Sequence, residues 1–152
     1  MNMKNLFLLL VCGLCFQSVG SFAQGYKIQV NIPQMSNKQV ILANYFEGKV
    51  YAVDTAQINS NGTGYFQKNN KKLARGMYIL LFSPSNYFDI MIGDNQNFSI
   101  TTDTLQVIDK IRFEGSPENT AFLGFQKVMT SATQKSRQIK EAMEKDPAKT
   151  SP

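Results

Sequence analysis

Few side chains in this 152-residue sequence can do chemistry, and the absent types decide more than the present ones. There is no histidine and no tryptophan, and the two cysteines, Cys12 and Cys15, both lie near the N-terminus. Beyond them, Ser-His-Asp and Cys-His nucleophile systems lose their reacting groups. So do zinc sites built on His or Cys, haem with a His or Cys ligand, and dithiol exchange. Cys12-Gly13-Leu14-Cys15 has the spacing of a dithiol redox centre. Such a centre needs a strand before it and a helix N-terminus after it, to depress a thiol pKa. Here it interrupts an apolar run, Leu6 to Phe16, and the spacing reads as incidental. Neither cysteine follows a small residue, as an acylated lipoprotein cysteine would.

The remaining candidates are oxygen groups. Asp54 and Asp89 fall in expected strands and could form a carboxylate pair of the glycoside-hydrolysis type, provided the register turned them together. Asp94-Asn95-Gln96-Asn97 gathers oxygen ligands in a tight turn. It lacks the ordered acidic spacing and terminal Glu of a calcium loop, so it reads as a plain turn. Asn61-Gly62-Thr63 and Asn97-Phe98-Ser99 match the N-glycosylation sequon, which a bacterial source would make incidental. No catalytic, cofactor-binding or metal-binding residue is assigned from the sequence, and no cofactor is implied.

The elements that would carry these groups begin after a leader. Lys4 is the one charge before Leu6, the apolar core runs to Val19, and Ser21-Phe22-Ala23 supplies small residues at its first and third positions. This is the pattern of a secretory signal peptide cleaved after Ala23, with a retained anchor as the alternative. The apolar stretch is shorter than the roughly 20 residues a membrane-spanning helix needs, so no transmembrane helix is expected after cleavage. The chain is expected to be exported to the periplasm or cell envelope. Its formal charge of +5 is not concentrated on one element. The densest run, Lys68, Lys71, Lys72 and Arg75, sits in an expected loop without stacking aromatics, and no nucleic-acid partner is expected.

From Gly25 the period of apolar residues is two. Ile28, Val30 and Ile32 alternate with Lys27, Gln29 and Asn31 until Pro33 stops the strand. Further strands are expected near Gln39 to Phe46 and Lys49 to Asn59. The turn Asn61-Gly62-Thr63-Gly64 then leads into Tyr65-Phe66, as in a hairpin. Gly76 to Phe82 is apolar on both parities and reads as a central strand covered on both faces. Tyr87 to Ile92, Asn97 to Thr102 and Lys110 to Glu114 complete eight short strands. The expected fold is mainly β: an antiparallel sandwich or open barrel followed by one C-terminal helix.

Gly115-Ser116-Pro117-Glu118 is a helix start, with Ser116 as N-cap and Pro117 at the first helical position. Phe122, Phe125, Met129, Ala132, Ser136, Ile139 and Met143 follow 3-4 spacing along one seam. The two Phe are expected to dock on the sheet, with the first three turns packed and the rest a partly solvated arm. A sustained coiled coil, which would want larger residues than Ala132 and Ser136, is the lesser alternative. Asp146-Pro147 ends the helix. The resulting division is a signal peptide over 1–23, a β domain over 24–115, a helical arm over 116–146 and a disordered tail over 147–152.

Several of these segments together carry a family likeness: Gly25-Tyr26-Lys27-Ile28, Val40-Ile41-Leu42-Ala43-Asn44-Tyr45-Phe46, Asp54-Thr55-Ala56 and Gly76-Met77-Tyr78. Phe98 to Thr104 and Phe113-Glu114-Gly115-Ser116-Pro117-Glu118-Asn119 complete the set, the last being the most specific. Over about Gly25 to Met129 the sequence resembles the domain of unknown function found at the N-terminus of exported thioredoxin-like proteins of the Bacteroidota. The resemblance implies a thioredoxin-like domain in cis as partner, bearing the Cys-x-x-Cys of a thiol-disulfide oxidoreductase. No residue of that redox site can be carried over, because this sequence reaches Pro152 without it. The expectation is a fragment of a longer product or an orphan β domain. Asp54-Thr55-Ala56 and Asp103-Thr104-Leu105 also resemble O-glycosylation sites of these bacteria, at Thr55 and Thr104.

Two functions from different classes follow. The first is a non-catalytic accessory module that positions, dimerises or docks a redox partner, or another protein, in the envelope. The second is a free-standing envelope binding protein for a small ligand, glycan or peptide, for which an open strand edge would serve. An enzyme in its own right comes third, since its acid-base work would rest on carboxylates, Lys and Tyr alone.

Overall fold

The computed structural model describes residues 25–145. The leader with Cys12 and Cys15, and the tail after the helix, lie outside the described residues. Eight strands form two four-stranded sheets. The first four are β1 (Tyr26–Asn31), β2 (Gln39–Phe46), β3 (Lys49–Gln57) and β4 (Thr63–Lys68). β5 (Gly76–Ser83), β6 (Asn86–Ile92), β7 (Asn97–Thr101) and β8 (Arg112–Glu114) follow. One sheet runs β4-β1-β7-β8 and the other β3-β2-β5-β6, and neither closes into a barrel. A short helix, α1 (Val107–Lys110), precedes β8, and the long helix α2 (Pro117–Lys145) ends the described chain.

The core lies between the sheets because each strand gives it every second residue. Ile28 and Val30 of β1, Phe66 of β4 and Ile100 of β7 meet Val40, Leu42, Leu80 and Ile90 of the second sheet in one buried cluster. Tyr26 shares that cluster and is only 2% exposed. Its hydroxyl donates to Asp54 Oδ2 at 2.6 Å. Burial, and then the hydrogen bond and charge of Asp54, push the Tyr26 phenol above its ordinary range.

Two details of the topology depart from the sequence reading. The sandwich is not wholly antiparallel: β1 pairs β7 in parallel, Ile28 opposite Phe98 and Val30 opposite Ile100. The sheets pair antiparallel elsewhere. Local pattern fixes which face of a strand is buried, whereas neighbour choice is set by how distant strands fill the sheet. Likewise Asn61-Gly62 does not close a hairpin, because β3 pairs β2 while β4 pairs β1. The turn carries the chain from one sheet to the other. Asn59 Oδ1 accepts from the Asn61 and Thr63 amides, and Gly62, at φ +80, gives its carbonyl to the Ile32 amide at 2.7 Å.

α2 docks by its first turns, on a stripe other than the expected one. Asn119 and Leu123 are its buried residues. Phe125 is 59% exposed and Met129 50%. Phe122 and Phe125 stack on each other, centroids 6.4 Å apart, rather than inserting together into the sheet. At 100° per residue the middle of the seam lies about 110° around the helix from Asn119 and about 150° from Leu123. Ser116 precedes Pro117 as read, but its hydroxyl accepts from Asn119 Nδ2 at 2.8 Å.

Candidate functional site

The two sandwich surfaces that face away from the core differ in kind. The outer face of β4-β1-β7-β8 carries Lys27, Gln29 and Asn31 of β1, Tyr65 and Gln67 of β4, and Ser99 of β7, paired by register. Lys27 Nζ lies over the Tyr65 ring, 5.3 Å from its centroid. This is a solvated face.

The outer face of β3-β2-β5-β6 is apolar. Register sets Ile41 opposite Leu81 and Ala43 opposite Ile79 across β2 and β5. Across β5 and β6 it sets Met77 opposite Met91, Ile79 opposite Asp89 and Leu81 opposite Tyr87. Ala52 and Val50 of β3 continue the same face beyond Ala43 and Tyr45. Tyr45, Val50, Met77 and Tyr87 are each about half exposed, whereas Ala43 and Ile79 between them are buried. β5 is central in its sheet, as its two apolar parities implied. Its second parity faces this open surface instead of a covering layer. Such an exposed, contiguous apolar patch marks an interaction surface more often than it marks plain surface.

One carboxylate sits in this patch. Asp89 is half-buried, and its Oδ1 is buried without a hydrogen-bond partner among the described residues. Burial pushes its carboxyl above the ordinary value. Tyr45 is near enough that, after partial desolvation of its own ring, the charge of Asp89 and then Tyr87 raise its phenol. Asp54, by contrast, pairs with Leu42 on the core side of the same sheet, while Asp89 pairs with Ile79 on the outer side. The sheet separates them, so they form no acid-base pair.

The other sequence candidates are occupied by the fold. In the turn at Asp94, Gln96 is buried and brackets Leu73, accepting from its amide at 2.8 Å and donating to its carbonyl at 2.9 Å. Asn95 accepts from the Asn97 amide and donates to the Gly115 carbonyl. Asp94 pairs with Arg75 at 3.0 Å across an exposed surface. These oxygens hold the turn. No group of three His, Cys, Asp or Glu able to hold a metal occurs among the described residues. Thr55 is exposed on β3, and Thr104 is half-buried, its carbonyl accepting from Asn86. Asn61 and Asn97 are exposed. None of the described helices is long and apolar enough to cross a membrane.

Sequence reasoning missed Asn119, although it quoted the segment containing it. Its side chain is fully buried beside the β6 edge. Oδ1 accepts from the Met91 amide and Nδ2 donates to the Met91 carbonyl, both at 2.7 Å. The amide thus takes the place of a neighbouring strand, as Gln96 does for Leu73. The signal available was an amide at the third helical position after Gly-Ser-Pro-Glu, where a helix leaves a sheet edge.

No curated protein matches this sequence. The family model for a domain of unknown function, DUF4369, matches residues 26–122, which takes in the whole sandwich and the start of α2 through Phe122, and the chain belongs to that family.

Proposed function

We propose that the chain is a non-catalytic accessory domain of an exported thioredoxin-like thiol-disulfide oxidoreductase, which seats its redox domain on the outer face of β3-β2-β5-β6. The observation that carries this reading is the contrast between the outer faces, one polar but for the Tyr65 ring and the other apolar around Asp89. The resemblance of Phe113 to Asn119 and the earlier segments to the N-terminal domains of such proteins supplies the partner. The leader supplies the envelope as its compartment.

The test is the native product, immunoprecipitated from the source envelope fraction with an antibody to the β domain. A mass well above that of Gln24 to Pro152, with a Cys-x-x-Cys peptide downstream, is expected. A product ending at Pro152 would sink the reading. In the longer product, amide exchange at Ala43, Ile79 and Asp89 should be slower than in the β domain alone. Tyr87→Lys should remove that difference.

A second reading, a free-standing binding protein for an extended peptide, is favoured by β3. It is nine residues long and lies at the edge of its sheet. Protection on peptide addition would then appear along β3 and leave Asp89 unchanged.

A further inference from the structure

We propose that the sandwich end formed by the β2-β3 turn and the 69–75 loop binds an anionic lipid surface. The proposal is independent of the accessory role, because Phe46, Tyr51 and the lysines concerned lie outside the sheet face given to the redox partner.

Strand register makes this end uneven. β2 pairs β5 only as far as Asn44 opposite Tyr78, whereas β2 and β3 go on pairing to Phe46 opposite Lys49. The hairpin therefore overhangs its sheet as a two-stranded ribbon, and every residue from Tyr45 to Ala52 is exposed. Both sides of the ribbon carry apolar groups. Tyr45 opposite Val50 occupies one side. Phe46 and Tyr51, edge-on with ring centroids 6.4 Å apart, occupy the other. A folded partner covers one side of such a ribbon. A lipid interface receives both, and tyrosine suits it with an apolar ring and a polar hydroxyl.

The neighbouring cations select an anionic lipid. Lys68 ends β4 opposite Tyr26, and the loop then delivers the chain to Gly76, which is level with Phe46 when the β2-β5 register is extended. Lys49, Lys68, Lys71, Lys72 and Arg75 are all exposed. The loop is anchored, since Leu73 is buried and Gln96 brackets its backbone, which holds Lys71, Lys72 and Arg75 on the outside. The carboxylates nearby are engaged. Asp94 pairs with Arg75, Glu114 accepts from Ser99, Asp54 accepts from Tyr26, and Glu118 Oε1 is buried against Gly93. Lys49, Lys68, Lys71 and Lys72 form no ion pair among the described residues. Glu47, in the turn itself, keeps the tip at headgroup depth, because a carboxylate is costly in hydrocarbon. Phe46 and Tyr51 then enter the boundary while the lysine stems reach up to phosphate.

The experiment uses the exported form, Gln24 to Pro152, because an attached leader would itself bind lipid. The buried core, Tyr26 to Leu123, lies within that form. The sequence has no tryptophan, so Phe46→Trp, at a position 61% exposed, supplies a single reporter. With vesicles of equal parts phosphatidylcholine and phosphatidylglycerol, the protein should co-sediment and its emission should shift to the blue. With phosphatidylcholine alone it should do neither. Lys71→Glu with Lys72→Glu should weaken binding at least about 25-fold, at about fivefold per cation held near an anionic surface. Lys38→Glu with Lys110→Glu makes the same change in net charge at the opposite end. That pair should leave binding within about twofold, since a strand's length of about 20 Å exceeds the screening distance. All these positions are exposed, and circular dichroism should match the parent. No binding, or an equal loss from both lysine pairs, would overturn the proposal. Binding without the blue shift would put the contact elsewhere on the chain and overturn it. So would a blue shift with a soluble sulfated glycan but not with the vesicles.

Discussion

Replacing Asn119 by Ala tests whether one amide side chain holds the long helix to the sandwich. The substitution removes hydrogen bonds of 2.7 Å to the Met91 amide, 2.7 Å to its carbonyl and 2.8 Å to Ser116 Oγ. Asn119 is fully buried and Met91 half-buried, so the two Met91 backbone groups lose their partners at a partly buried edge. An unsatisfied buried backbone group costs about 1–3 kcal/mol. Partial hydration of the small void offsets some of this, and a loss of about 3 kcal/mol is expected. With a urea m-value of about 1.5 kcal/mol/M for a domain of this size, the unfolding midpoint should fall by about 2 M.

Asn119→Asp sharpens the test. It keeps an acceptor for the Met91 amide but turns a carboxylate toward the Met91 carbonyl and Ser116 Oγ. At neutral pH it should be at least as damaging as Ala. Protonation restores one donor, so the folded-state pKa lies above the unfolded one, and stability should rise as pH falls through it. A loss below about 1 kcal/mol for Asn119→Ala would refute the reasoning. An Asp variant matching the parent at neutral pH would refute it too.

Three further outcomes follow from the same structure. Gln96→Ala removes the bracket on Leu73, with bonds of 2.8 and 2.9 Å, and should cost about 2–3 kcal/mol in urea unfolding. Gly62→Ala must hold φ near +80 with a Cβ 2.7 Å from Pro33 Cα; it should destabilise by about 2 kcal/mol and lower the melting temperature. Asp89→Asn concerns a carboxyl whose folded-state pKa is raised by burial above the usual 3.8. A raised pKa means the parent loses stability as pH climbs from the unfolded value through the folded one. The Asn variant should lack that decline, and should be the more stable protein at neutral pH in parallel urea titrations.

The strands were legible because each writes its buried side at period two, as in Ile28-Val30 and Val40-Leu42. The parallel contact of β1 with β7 was not, since it joins residues about seventy positions apart and nothing local to either strand specifies the other. Asn61-Gly62 announced a turn but not its destination. The helix was legible in extent and misread in orientation. Phe122 and Phe125 at the start of the seam are the expected docked residues, yet docking is done by Leu123, in the apolar core, and by the polar Asn119, which bonds the Met91 backbone groups that β6 leaves open at its edge. Of the candidate surface, β5 supplied the one sequence signal, apolar residues on both parities. Asp89 could be seen in the sequence, but its isolation on the outer face depends on register and on where the second sheet lies.

That isolated carboxylate changes what the apolar face can bind. Ile41, Ala43, Ile79, Leu81 and their neighbours attract any apolar surface without direction, at about 25 cal/mol per Å² removed from water. Asp89 adds a condition. Its Oδ1 already lacks a partner among the described residues. A covering surface with no donor would strip the remaining water from the charge, or force the carboxyl to take up a proton, at a cost of several kcal/mol. A surface that brings an N–H or a cation to the same point avoids that loss. The discrimination therefore comes from a penalty on wrong partners more than from a gain on the right one. Asp89→Leu should accordingly broaden what the face accepts while leaving the sandwich intact. The measurable sign is concentration-dependent self-association through Tyr45, Met77 and Tyr87 that the parent face does not support. If Asp89→Leu leaves both partner range and self-association unchanged, the carboxylate is not what makes the face selective.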